Sequence, residues 1–117
     1  MTVCRGIRGA TTADANTVEA IHSATAEMVQ ALIEANDLEE DSLAAVFFTI
    51  TPDLDAAFPA TAARLTAWPN VPLMDMTQVV VKGSLPRCIR ILILVNTEKE
   101  PTDLNYVYLK GAESLRG

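Results

Sequence analysis

Residues 88–95 read Cys-Ile-Arg-Ile-Leu-Ile-Leu-Val, the most hydrophobic stretch of the chain. A run so short and so rich in apolar residues is a buried central strand, and the remaining elements must be laid around it. Arg90 interrupts that strand. A guanidinium buried without a partner is very costly, so either a carboxylate of the protein or a bound anion has to meet it. The same run therefore constrains the fold and points to the chemistry.

Other elements follow from pattern. Residues 3–9 read as a strand. Asn16 and Glu19 have capping-box spacing, and Val18, Ile21, Met28 and Leu32 recur at helical intervals, widened by Val29 and Ile33. This predicts a helix over 17–35 that stops near Asn36, followed by a solvated acidic turn from Asp37 to Asp41. Leu43–Thr51 reads as a buried strand, Pro52-Asp53 as a turn, and Pro59 as the start of a shorter helix running to Trp68. Residues 71–76 and 106–109 complete the set as strands. Strands at both ends and in the middle, with helices between, predict an α+β fold, a single mixed sheet packed with helices. With 117 residues the chain is expected to be one domain over 1–117.

The segment Arg5-Gly6-Ile7-Arg8-Gly9-Ala10-Thr11-Thr12 is the second unusual feature. A solvated arginine needs no flanking glycines; they make sense where backbone or ligand comes close to a guanidinium at a strand end. Such a group holds a planar carboxylate by two parallel hydrogen bonds. Arg8 and Arg90 together suggest an anion pocket. Thr51–Ala60 adds a proline turn, the aromatic Phe58 and a helix start whose free amides favour an anion, although an ordinary strand-to-helix connection explains it equally well.

The bulk numbers narrow the function classes. A net charge of −6 argues against nucleic acid, since nothing here could neutralise a row of phosphates. Yet six of the nine cations are arginine, enough to bind one small anion on an acidic protein. Half the residues are hydrophobic and the mean hydropathy is +0.21, which suggests apolar surface buried against other copies of the chain. No apolar run reaches the ~18 residues a membrane span requires. Cys4 and Cys88 read as reduced core residues of a cytoplasmic protein. The single histidine, His22, reads as a surface or boundary residue of the helix. Nucleophile pairs, metal-ligand spacings and cofactor fingerprints are all missing, so an enzyme of this sequence would work by positioning and electrostatics.

Taken jointly, Arg-Gly-Ile-Arg-Gly-Ala-Thr-Thr at 5–12, Thr-Pro-Asp-Leu at 51–54, Phe58-Pro59-Ala60, Cys88-Ile89-Arg90 and Val107-Tyr108-Leu109 resemble the monofunctional AroH-type chorismate mutases. The resemblance runs over nearly the whole chain in the same order. It implies a homotrimer forming a pseudo-α/β barrel, with active sites at subunit interfaces. The implied reaction is the Claisen rearrangement of chorismate to prephenate in phenylalanine and tyrosine biosynthesis, with no cofactor and no metal. By resemblance, Arg90 takes up charge on the ether oxygen, and Arg8 and Tyr108 hold the other side of the substrate. Phe58, Ala60, Arg64 and Leu115 are expected from the neighbouring subunit.

Two positions depart from that pattern. Gln78 stands where the family usually has a glutamate, and Asp75 where it usually has a cysteine. The expectation is that Asp75 supplies the negative charge while Gln78 keeps a hydrogen bond to the ring hydroxyl. Thr61 replaces a common lysine, which should affect binding more than chemistry. The chain stops at Gly117, and Arg116 is expected to help cover the site. Two other readings are a trimeric enamine/imine deaminase, which also binds a carboxylate by an interface arginine, and a non-catalytic binder or sensor of chorismate-like dicarboxylates.

Overall fold

In the computed structural model the apolar run is indeed the middle of a sheet. The strands are β1 (Val3–Thr12), β2 (Leu43–Ile50), β3 (Leu73–Thr77), β4 (Cys88–Thr97) and β5 (Val107–Tyr108). Their order across the sheet is β3-β2-β4-β1-β5. β4 runs antiparallel to both neighbours, while β2 pairs with β3 and β1 with β5 in parallel, so the sheet is mixed as expected. Among the described residues two α-helices accompany it, α1 (Val18–Asn36) and α2 (Pro59–Thr66). The structure describes residues 1–116 without the Arg116 side chain. The covering role expected of Arg116 lies outside the described residues.

The two faces of the sheet differ. Ile89, Ile91, Ile93 and Val95 of β4 point to one side, together with Ile7, Val46 and Phe48, and pack into a core with Ile21, Met28, Val29 and Leu32 of α1. Burying a side chain of this kind contributes about 1.5–3 kcal/mol, so this layer dominates stability. Arg90 and Leu92 alternate to the other face, beside Arg8 and Phe47. Both arginines are exposed there, and Leu92 is 38% exposed. The expectation of a buried Arg90 is thus corrected. A strand apolar on both faces does need two covers, but a single copy of this chain supplies one.

Cys4 is corrected in the same way. It lies on the open face and is exposed, whereas Cys88 is buried, and both are free thiols. His22 is half-buried on α1, a boundary position as expected. The expected capping box of Asn16 and Glu19 does not form: Thr17 is the N-cap, its Oγ1 accepts from the Ala20 amide at 3.1 Å, and alanine at N3 cannot return the bond. Asn16 is left free to act elsewhere. At the other end, Asp37 closes α1 in the left-handed conformation, its N–H donating to the Ile33 carbonyl.

The glycines of β1 have separate reasons. A Cβ on Gly9 would meet the Val107 carbonyl oxygen at 3.0 Å and side-chain carbons of Ile91 and Leu32 at 3.1 Å. Gly9 therefore permits the close approach of β5 and α1, and not of the guanidinium. A Cβ on Gly6 would meet only Leu92, at 3.5 Å.

Candidate active site

Strand pairing sets one row across the open face. Met76 lies beside Thr49, Thr49 beside Arg90, Arg90 beside Ala10, and Ala10 beside Tyr108. Arg8 projects from the same face of β1 as Ala10. Diagonal neighbours on adjacent strands are roughly 7–8 Å apart, a spacing two guanidinium groups can close around one small anion. A hollow of about 260 Å³ opens between Arg8, Thr49, Met76 and Arg90. A second, of about 350 Å³, lies between Arg8, Tyr106, Tyr108 and Leu115, with the Arg8 Cζ 5.1 Å from the centre of the Tyr106 ring. Arg8 is the wall between the two.

Neither arginine is neutralised: among the described residues no carboxylate lies within ion-pair distance of Arg8 or Arg90. Arg90 instead donates through Nε to Oε1 of Gln78 at 3.2 Å. Gln78 is itself placed by its backbone, whose N–H donates to the Ile50 carbonyl at 2.8 Å. A neutral amide aims the guanidinium and leaves its charge for a ligand. Two residues earlier on β4, burial pushes the Cys88 thiol up, against the opposing pull of Arg90. The neutral thiol is a poor nucleophile.

A second group of expected residues gathers elsewhere. Asp75 pairs in register with Phe48, so it faces the helix layer, on the opposite side of the sheet from Arg90. There its Oδ1 accepts from the Ala60 amide at 3.0 Å. The N-cap of α2 is Phe58, which has no capping oxygen, and Asp75 supplies from β3 what the helix start lacks. Burial raises the Asp75 pKa, although the Ala60 amide and the charge of Arg64 both oppose the rise. Phe58 is 67% exposed, Arg64 is exposed and Thr61 is half-buried on the same short helix. Phe58, Ala60, Thr61, Arg64 and Asp75 thus form one set, and Arg8, Gln78, Arg90 and Tyr108 another. Leu115 was expected with the first set but lies with the second, in the same hollow as Arg8 and Tyr108 of its own chain.

The 51–60 segment is a brace rather than an anion cradle. The Thr51 hydroxyl accepts from the Cys88 amide at 3.0 Å and donates to Asp53, and the amide of Ala60 at the helix start is already taken by Asp75. Sequence reasoning missed the partner of this segment. Oδ1 of Asn16 accepts from the amides of Asp55 at 3.0 Å and Ala56 at 3.1 Å, and its Nδ2 donates to Asp55 Oδ1 at 2.7 Å. An asparagine spare from the capping position was the only available signal. Among the described residues no cluster of three or more metal-ligating side chains occurs, and no helix is long and apolar enough to cross a membrane.

Comparisons with known proteins identify the family and the fold. Residues 4–117 match the family described as chorismate mutase type I. The chorismate mutase AroH of Thermus thermophilus is 50% identical over 113 residues, covering 96% of this chain and 93% of that protein. The chorismate mutase AroH of Bacillus subtilis (strain 168) is 38% identical over 113 residues, covering 96% and 89%. The solved structure of a chorismate mutase from Clostridium thermocellum superposes with a TM-score of 0.91 at 46% identity, over 94% of this chain and 98% of that one.

Proposed function

The chain belongs to the type I chorismate mutase family, and from that premise we propose how its two sets of residues share the rearrangement of chorismate to prephenate. Family membership sets aside the deaminase alternative. The reaction is a cyclic shift of electron pairs within one molecule: the ether C–O bond breaks as a new C–C bond forms, and no proton or group is exchanged with the protein. Catalysis then consists of holding the reactive conformer and favouring charge where it develops. A protein without an activated nucleophile is sufficient for that.

Chorismate is a dianion, and the observation that carries this reading is the pair of guanidiniums, Arg8 and Arg90, on one face of the sheet with no ion-pair partner among the described residues. Arg90 stands against the ether oxygen, where negative charge accumulates, and also reaches a carboxylate. Arg8 and Tyr108 hold the far side of the substrate, with Leu115 closing their hollow. Gln78 spends its carbonyl on Arg90 and keeps its NH2 for the ring hydroxyl. Asp75 offers negative charge to the allyl fragment, which becomes cationic as the ether bond breaks.

Asp75 and Arg90 face opposite ways in one copy, so they meet only if two copies share a pocket. We therefore infer a homotrimer in which Phe58, Ala60, Thr61, Arg64 and Asp75 of one copy close over Arg8, Gln78, Arg90 and Tyr108 of the next, each copy acting as one domain over 1–117. The uncovered apolar face supports it: Leu92, Met74 at 54% and Met76 at 41% exposure are more apolar surface than a lone protomer of this size usually leaves wet. Two unpaired cysteines suit the cytoplasm.

The test is loss of chorismate absorbance with the wild type and with Arg90→Ala. Removing one preorganised donor costs about 2.7–4 kcal/mol, or 10²–10³ in kcat, and that drop is expected. A folded wild-type protein that leaves chorismate unchanged would overturn the reading.

A further inference from the structure

The loop over residues 78–87 leads from β3 across the end of β2 to β4, and its two ends carry Gln78 and, just inside β4, Arg90. Whether those side chains meet depends on how the loop is closed. One end is tied by the Gln78 amide to the Ile50 carbonyl at 2.8 Å. The other is tied to the turn after β2. Asp53 Oδ2 accepts from the Arg87 amide at 2.9 Å, and its Oδ1 accepts from the Thr51 hydroxyl. That hydroxyl in turn accepts from the Cys88 amide at 3.0 Å. The Thr51 amide donates to the Cys88 carbonyl at 3.1 Å, and the Ala13 amide to the Arg87 carbonyl at 2.9 Å.

Arg87 takes a left-handed backbone conformation, with φ of 48°, at this point. That region is uncommon for a residue with a side chain and persists only where its surroundings impose it. The relay from Cys88 through Thr51 to Asp53 also has a fixed sense. Since Thr51 spends a lone pair on an amide, its proton must go to an acceptor, which a carboxylate provides at both oxygens. Between the loop and the turn at Thr51–Asp53 lies an open hollow of about 280 Å³, and the hydrogen bonds at Arg87 and Cys88 bridge beside it.

We propose that Asp53 is a positioning residue for the rearrangement, fixing the left-handed turn at Arg87 so that the 78–87 loop delivers Gln78 to Arg90. It touches no substrate. The Thr-Pro-Asp turn is then the anchor of a catalytic loop, and its effect on turnover rests on the mutase reading given above.

Two Asp53 variants, an Arg87→Gly control and one rescue test it. In Asp53→Ala both acceptors are lost. The expected result is a kcat lowered roughly tenfold with KM within about twofold, since the pair that acts on the ether bond is displaced while Arg8 and Tyr108 still bind. Glycine adopts the left-handed backbone without strain, so Arg87→Gly alone should leave kcat near wild type, and Asp53→Ala/Arg87→Gly should regain most of the loss. Asp53→Asn keeps the shape and one acceptor, so its kcat should fall between those of Asp53→Ala and wild type; if Asp53→Ala does not fold, the test is a kcat of Asp53→Asn below wild type that Arg87→Gly restores. Amide hydrogen exchange at Arg87 and Cys88 reads the anchor without reference to turnover, and should quicken in both Asp53 variants. A variant with faster unfolding but wild-type kcat, a kcat loss that Arg87→Gly leaves untouched, or unchanged exchange at those amides would each overturn the proposal. A wild-type protein inert toward chorismate would count against the mutase reading, and the exchange data would still decide the anchor.

Discussion

Gln78 accepts a hydrogen bond from Nε of Arg90 at 3.2 Å, and a neutral amide thereby aims a charged group that, among the described residues, no carboxylate pairs with. The carboxylate of this region is Asp75, which faces the other side of the sheet and holds the start of α2. Orientation and negative charge are divided between two residues. Most of what this chain should do differently from a protein with glutamate at position 78 follows from that division.

The first consequence is kinetic. Asp75→Asn keeps an oxygen for the Ala60 amide and removes only the charge, so kcat should fall on the order of 10²-fold if that charge serves the breaking bond. Gln78→Ala, which removes an orienting bond and no charge, should lower kcat by roughly tenfold or less. Steady-state kinetics of the two variants side by side decide it. An Asp75→Asn protein with undiminished kcat would show that Asp75 serves α2 alone.

A shared pocket predicts complementation. Arg90→Ala copies retain the α2 side and Arg64→Ala copies retain the open-face side, so each alone should be nearly inactive. Unfolded together in equal amounts and refolded, they should form pockets with both sides intact at about one interface in four, by random assortment around a closed ring. Turnover recovered to that extent supports pockets between copies. No recovery from a folded mixed trimer would place each site within one copy.

Gly9 should be intolerant of any side chain. In Gly9→Ala the new methyl meets the Val107 carbonyl at 3.0 Å and two core side chains at 3.1 Å. Overpacking of this kind costs about 1–3 kcal/mol, and since one contact is backbone, β5 must shift to relieve it. Thermal unfolding should show a lowered midpoint. An unchanged midpoint would mean that β5 docks less tightly than its distances indicate.

The two aspartates should pull stability in opposite directions with pH. Burial raises Asp53, but the Thr51 hydroxyl, the Arg87 amide and the Arg87 charge outweigh it and hold the folded pKa below the ordinary 3.8. Its contribution is therefore complete above 3.8 and is lost as the pH falls through the folded value. For Asp75, burial holds the folded pKa above 3.8, so its ionisation weakens the fold as the pH rises through the interval between 3.8 and that raised value. Urea unfolding of Asp53→Asn should show less loss of stability in acid than wild type. Asp75→Asn should be more stable than wild type near neutrality, even though slower, a trade common at strained active sites. Parallel pH curves for wild type and Asp53→Asn would contradict the first part.

Much of this was legible in the residues, because the patterns that reveal strands and helices are local. The run at 88–95 announced the middle strand, and Val18 to Ile33 announced α1 to within a residue at each end. What failed depended on distant partners. A strand apolar on both faces reads the same whether its second cover is a helix of its own chain or another copy, so Arg90 and Cys4 were read as buried. Asn16 and Thr17 are equally good caps, and only the loop at Asp55 and Ala56 shows why Asn16 is spent elsewhere. Gly9 looked like room for a guanidinium because β5 and Leu32 approach it from far along the chain. Asp75 and Gln78 are near neighbours in sequence, yet they serve different sides of the sheet.

The row Met76, Thr49, Arg90, Ala10, Tyr108 sets a limit on how this protein can change. Side chains alternate along a strand with a period of two, so losing or gaining one residue before Arg90 within β4 would turn it into the helix layer and put an isoleucine on the open face. Point substitutions can retune such a pocket by degrees. A change of length inside β4 would abolish it in one step, so descendants of this sequence should vary in the length of their loops and keep the length of β4.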